Sequence, residues 1–175
     1  MQIITKLKYL QAAVIHAAVK DVRFYLCGVY IGDGFIAATD GHRLIMINDD
    51  VQSDGLIIPR EAIVSLVRKA KRGEVTIEIK DGGFGLMSCN GHYEYFKFID
   101  GKFPDVRRVD ISEPKEPVAE WMLFNVDYLR DFAKSMQLLT ENKIAQPIMK
   151  PTSKNERIYV SMTEYAHGIL MPMKQ

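Results

Sequence analysis

Leu56 to Phe98 reads LIIPREAIVSLVRKAKRGEVTIEIKDGGFGLMSCNGHYEYFKF, and it holds one complete structural unit. A short apolar strand, Leu56 to Ile58, comes first. Pro59 then suits the first turn of a helix, where its fixed φ is pre-set and its missing N–H costs nothing. In PREAIVSLVRKAKRG, Ile63, Leu66, Val67 and Ala70 recur at helical spacing and form one apolar face. Gly73 fits a C-terminal stop. Three strand stretches follow, Val75 to Ile79, Phe84 to Cys89 and Tyr93 to Phe98, with DGG and NG as hairpin turns between them.

The same unit recurs on both sides. Toward the N-terminus a strand near Gln2 to Thr5 leads into KLKYLQAAVIHAAVK, where Leu7, Leu10, Val14 and Ala17 share a helical face. Strands are expected at Arg23 to Ile31, Phe35 to Thr39 and Leu44 to Ile47, the first two joined by a tight turn at Gly32, Asp33 and Gly34. Toward the C-terminus, Trp121 to Phe124 is the opening strand and Asn125 a good N-cap. Val126, Leu129, Phe132 and Met136 then lie along one helical face. Strands are expected near Ile144 to Met149, Arg157 to Ser161 and Gly168 to Met173, with Lys150 to Glu156 a polar loop. DISEPKEP, charged and proline-bearing, reads as a linker before the third unit. Strand, helix, three strands, repeated at a period of about 50 to 60 residues, indicates structural duplication. The fold class is α+β, with antiparallel sheets and a few helices.

The 175 residues are 47% hydrophobic and 26% charged, the balance of an ordinary soluble globular protein. No apolar run reaches the roughly 20 residues that span a bilayer, and MQIITKLKYLQ lacks the apolar centre of a signal peptide. Cys27 and Cys89 stand alone, as reduced and buried thiols of a cytoplasmic protein do. A formal net charge of +1 neither demands nor excludes nucleic acid, so the distribution of charge decides.

Three stretches go further: ATDGHRL at Ala38 to Leu44, following DVRFYLCGVYI at Asp21 to Ile31; IDGKFPDVRRV at Ile99 to Val109; and the C-terminal GILMPMKQ. In this order, on this repeat, the chain resembles the bacterial DNA sliding clamp, the beta subunit of DNA polymerase III. The resemblance implies a clamp fold of strand–helix–three-strand half-domains, with antiparallel sheets outside and helices inside. Residues 1–110 resemble a complete middle domain, 111–119 a linker, and 120–175 the second half of a C-terminal domain. The N-terminal domain and the first half of the C-terminal domain have no counterpart in it.

The resemblance also implies two sites. A pocket for short linear peptides of polymerases and other partners would use Leu26, Thr39, Gly41, His42, Arg43 and Leu44. Pro104, Arg108 and Val109 would join from the FPDVRRV stretch, and Asn125, Tyr128, Leu170, Met171, Pro172 and Met173 from the third unit. Leu and Met make an adaptable apolar slot, and His42, Arg43 and Asn125 would hold a peptide backbone. The competing reading makes Leu26, Leu44 and Leu170 plain core. Double-stranded DNA would meet Arg68, Lys69, Lys71 and Arg72 of the second helix, with Lys20, Arg23 and Lys134. Such contacts are electrostatic and sequence-blind, as sliding requires. Phe24 and Tyr25 would stack on a base or sugar. Solvated polar faces produce similar charge runs.

No chemistry is expected. Asp40 and His42 are two apart in a turn with no nucleophile motif, and His16, His92 and His167 lack zinc-site spacing. No cofactor is called for. Partners are polymerase, other proteins carrying the clamp-binding motif, and a clamp loader. A homo-oligomeric ring is expected, and a tetramer rather than a dimer, since three half-domains per chain reach about twelve in four chains. The rival is an incomplete clamp that binds such peptides, or a host clamp, as decoy or adaptor without encircling DNA.

Overall fold

The computed structural model describes residues 2–116, 123–152 and 156–173. The first repeat is β1 (Gln2–Lys6), α1 (Leu7–Val14), β2 (Gly28–Ile31), β3 (Phe35–Thr39) and β4 (Arg43–Asn48). The second is β5 (Leu56–Pro59), α2 (Arg60–Lys69), β6 (Glu74–Lys80), β7 (Phe84–Cys89) and β8 (His92–Lys97). The third holds α3 (Val126–Thr140), β9 (Ile148–Pro151), β10 (Ile158–Thr163) and β11 (Ala166–Leu170). Of its expected opening strand, Trp121 and Met122 lie outside the described residues, and Leu123 and Phe124 form no strand.

The first two repeats exchange their opening strands. β1 joins the second repeat's sheet, with Ile3 opposite Ile77, and β5 joins the first repeat's sheet, with Ile58 opposite Val29. The third repeat attaches by its last strand, β11, antiparallel to β4. The result is a sheet ordered β1-β6-β7-β8 and a seven-stranded sheet ordered β5-β2-β3-β4-β11-β10-β9.

All three helices cover one side of the sheets, with α1 packed between α2 and α3. Leu7, Leu10, Ile36, Ile45, Ile63, Leu66, Ile77 and Phe132 are fully buried in that layer. Burying each such side chain contributes about 1.5–3 kcal/mol. The opposite face of the larger sheet is covered too. The chain after β8 folds back over it, and Phe103 and Val106 pack on Phe35, Leu44, Met46 and Ile169. Phe103 stacks on Tyr30 at 4.9 Å between ring centroids.

Several expected boundaries shift. α1 stops at Val14, although Ala17 remains buried beyond its end. The strand expected from Arg23 begins only at Gly28, because Asp21 accepts from the Arg23 N–H and Phe24–Leu26 close a one-turn helix. α2 stops at Lys69, leaving Lys71 and Arg72 in the turn that Gly73 completes at φ 121°. β9 starts at Ile148, not Ile144, after an Asn142 turn and Pro147, and it runs into the expected polar loop as far as Pro151. β11 begins two residues early, at Ala166. Cys89 is buried, as expected, but Cys27 is only half-buried.

Candidate functional site

The turn at Thr39–Arg43 is built by its own side chains. Asp40 Oδ1 accepts from the backbone N–H of His42 at 2.9 Å and of Arg43 at 3.1 Å. The Thr39 hydroxyl donates to the Arg43 carbonyl and accepts from Gly41 N–H. Gly41 sits at φ 92°, and a Cβ there would lie 2.9 Å from the Arg23 guanidinium. Asp40 and Gly41 therefore serve the turn rather than catalysis.

A groove of about 220 Å³ lies beside this turn, where β4 meets β11. Leu26, Leu44, Val106 and Ile169 form its apolar floor, each at most 3% exposed. Thr39, Gly41, His42, Pro104, Val109 and Met171 edge it. Met171 is 42% exposed, and its N–H donates to the His42 carbonyl, extending the β4–β11 ladder by one bond. Sites for drug-sized ligands run to roughly 300–1,000 Å³, so this groove has room for one or two side chains of a longer segment.

Not every expected residue faces it. Leu170 points the other way, into the helix-side core at 0% exposure, and Ile169 takes its place. Successive residues of a strand point to opposite faces, so the two cannot share the groove. Arg43 is committed elsewhere. It pairs with Asp40 at 3.1 Å and Asp131 at 2.7 Å, donates to the Ile15 carbonyl at 3.0 Å, and lies over the Tyr128 ring. The Asn125 side chain accepts from Asp127 N–H and caps α3. All three Arg43 guanidinium nitrogens are thus engaged, whereas the Asn125 side-chain amide nitrogen has no hydrogen-bond partner among the described residues. Tyr128 stands behind His42, stacked at 6.3 Å, and burial raises its phenol above the ordinary value. Arg108 does not line the groove; it is exposed and pairs with Asp105 at the groove's rim. Pro172 and Met173 continue past Met171, with Met173 N–H donating to the Leu123 carbonyl.

The residues expected at DNA separate into three places. Lys20 and Lys134 line a polar cavity of about 660 Å³ on the helix side, together with Arg60, which the sequence pattern did not single out. Arg68, Lys69, Lys71 and Arg72 gather at the other end of α2, about 15 Å away at 1.5 Å per residue. Lys69 is tied to Glu94 at 2.7 Å; Arg68, Lys71 and Arg72 are exposed. Arg23, Phe24 and Tyr25 leave this face. Arg23 and Tyr25 line the groove, and Phe24, 54% exposed, packs edge-on to Tyr25. Arg23 holds the Asp21 carboxyl at a pKa of about 2 by side-chain and backbone hydrogen bonds.

The family model for the central domain of the DNA polymerase III beta subunit matches residues 5–105. The beta sliding clamp of Escherichia coli K12 is 32% identical over 122 residues, 65% of this chain and 32% of that protein. The Proteus mirabilis clamp is 30% identical over 134 residues, 71% of this chain and 35% of its own length. The chain thus spans about a third of the curated relatives it matches. Among solved structures, the Pseudomonas aeruginosa DNA polymerase sliding clamp superposes with a TM-score of 0.75 at 20% identity, covering 99% of this chain and 67% of that one. A Bartonella birtlesii sliding clamp bound to griselimycin gives 0.73 at 18% identity, covering 99% and 66%. At these identities the superpositions establish the fold alone.

Proposed function

This chain belongs to the DNA polymerase III beta subunit family, the bacterial sliding clamps, and we propose that it is a processivity factor that surrounds duplex DNA and docks short peptides of its partners. Residues 1–110 are then its middle-type domain and 120–175 half of a C-terminal-type domain, joined by 111–119. It works in the cytoplasm and without catalysis, by topology and docking. No helix among the described residues is long and apolar enough to cross a membrane.

The observation that carries this reading is the groove at the β4–β11 junction. Its floor draws on both units, Leu26, Leu44 and Val106 from one side and Ile169 from the other. It has the form of a slot for the apolar end of a linear motif, and its rim offers the Met171 side chain, which adapts to different occupants. A labelled peptide ending in Leu-Phe should bind with micromolar affinity, about −8 kcal/mol, read by fluorescence polarisation. Met171→Glu and Leu26→Glu should each abolish binding; unchanged affinity in both would remove the assignment.

For the ring, four chains of three half-domains supply about twelve, with neighbouring chains related by two-folds. A clamp loader would then open it. A second reading, decoy or adaptor, is favoured by one fact: the groove is complete within a single chain. Retention on circular DNA with loss on linearisation separates the ring from the decoy.

A further inference from the structure

Each repeat ends in an equivalent last strand: β4, β8 and β11. Two of these have found each other. β4 and β11 pair antiparallel from Arg43 opposite Leu170 to Ile47 opposite Ala166. Among the described residues β8 has a neighbour on one side only, β7. We propose that β8 pairs with the β8 of a second copy of this chain, antiparallel about a two-fold axis beside Tyr95. The ring proposed as the functional form depends on this pairing at its β8 edge.

The β4–β11 junction shows that two edges of this kind fit each other, and the same relation applied to two identical edges is self-complementary. β8 is suited to it. It is six residues long, keeps regular register with β7 from Phe84 opposite Lys97 to Cys89 opposite His92, and contains no proline. Proteins that keep an edge unpaired shorten it or place proline in it. The sheets also end at β1, β5 and β9; β5 and β9 have these features, four residues each, ending in Pro59 and Pro151.

Register follows from charge. With Tyr95 opposite Tyr95, Tyr93 faces Lys97 of the other copy and Glu94 faces Phe96. The register centred one residue earlier would set Glu94 against Glu94, and like charges directly opposite are unfavourable; the register centred on Phe96 would carry the axis away from Ser65. Tyr93 and Tyr95 are 62% and 63% exposed on the side away from the helices, Tyr95 stacking on Phe84 of β7 and leaving its other ring face open.

The helix layer agrees. Ser65 and Lys69 of α2 both hydrogen-bond Glu94 at 2.7 Å, so their flank of the helix lies along β8. Glu61 is on the same flank, one turn earlier, exposed and without an ion pair among the described residues. A two-fold beside Ser65 sets Glu61 opposite Lys69 of the other copy, a self-complementary stripe. α1 and α3 meet in the same way beside the β4–β11 junction.

The test is a cysteine placed on the axis. Directly opposite residues have Cβ atoms about 4.5–5.5 Å apart, close enough for a disulfide after a small adjustment. Under mild oxidation the Tyr95→Cys variant should run as a covalent dimer on a non-reducing gel. Tyr93→Cys, which faces Lys97, should stay single-chain like the parent with its native Cys27 and Cys89. Light scattering of the parent should give at least twice the single-chain mass. A multimeric parent whose Tyr95→Cys variant does not cross-link, or in which Tyr93→Cys cross-links instead, overturns the β8 pairing and leaves the ring reading standing. A monomeric parent at micromolar concentration overturns both.

Discussion

The Arg43 guanidinium lies 2.7 Å from the Asp131 carboxylate, and this pair joins the first repeat to the third beside the groove. Arg43 is 8% exposed and Asp131 21%, so the pair is largely out of water. Removing one partner of a buried pair costs up to about 3–5 kcal/mol, because the other charge is left uncompensated. Asp40 still faces Arg43, which lowers the cost. Asp131→Asn should therefore destabilise by roughly 2 kcal/mol in urea unfolding. It should also loosen the His42–Tyr128 stack, read as changed Tyr128 resonances.

Strand parity separates fold from binding at two adjacent positions. Leu170→Ala should cost about 3 kcal/mol of stability, since it empties a fully buried site. Met171→Ala, at a 42% exposed position, should change stability by less than about 0.5 kcal/mol yet weaken the peptide. Equal stability losses would contradict the orientation of β11.

Gly168 allows α3 to touch the sheet. A Cβ there would lie 2.1 Å from Phe132 Cε1, and Phe132 is fully buried. Gly168→Ala should cost about 1–3 kcal/mol by overpacking, and a smaller side chain at position 132 should recover part of it. Thermal unfolding of the single and double variants checks this.

His16, just past the end of α1, is wholly buried against α3, 2.9 Å from the Ser135 hydroxyl and tilted against the Phe132 ring at 4.5 Å. Burial first, then the Arg43 charge, hold its pKa well below the ordinary 6.5. The unfolded chain therefore binds a proton near pH 6.5 that the folded chain refuses. Stability is fully present above that pH and falls as the pH drops toward the folded pKa, by up to about 1.4 kcal/mol per unit. Urea midpoints from pH 7.5 to 5 should show this slope, and His16→Gln should flatten it.

Charge reversal of Arg68, Lys71 and Arg72 together should weaken DNA binding evenly across sequences. The log–log salt slope should become shallower by about 0.9 for each phosphate that is no longer neutralised. Lys69 is best left in place, because Glu94 depends on it. Far-ultraviolet circular dichroism should be unchanged.

By itself the sequence determined the repeat and its local devices. The Ile63, Leu66, Ala70 stripe, the Asn125 cap and the Asp40–Gly41 turn all rest on interactions within a few residues, so spacing reveals them. Its resemblance to the clamp family, not its spacing, pointed to Leu26, Thr39, Leu44 and Met171, which line the groove. Only the tertiary structure decided which opening strands are exchanged, since Ile3 meets Ile77 across the chain and nothing local encodes that choice. It alone turned Arg43 toward Asp131 and set Ile169, not Leu170, in the groove. The reason is physical. β3 and most of β4 are buried on both faces, by the helices on one and by the chain around Phe103 and Val106 on the other. A strand covered on both sides loses its polar–apolar alternation, and with it the signal that says which side chain points where.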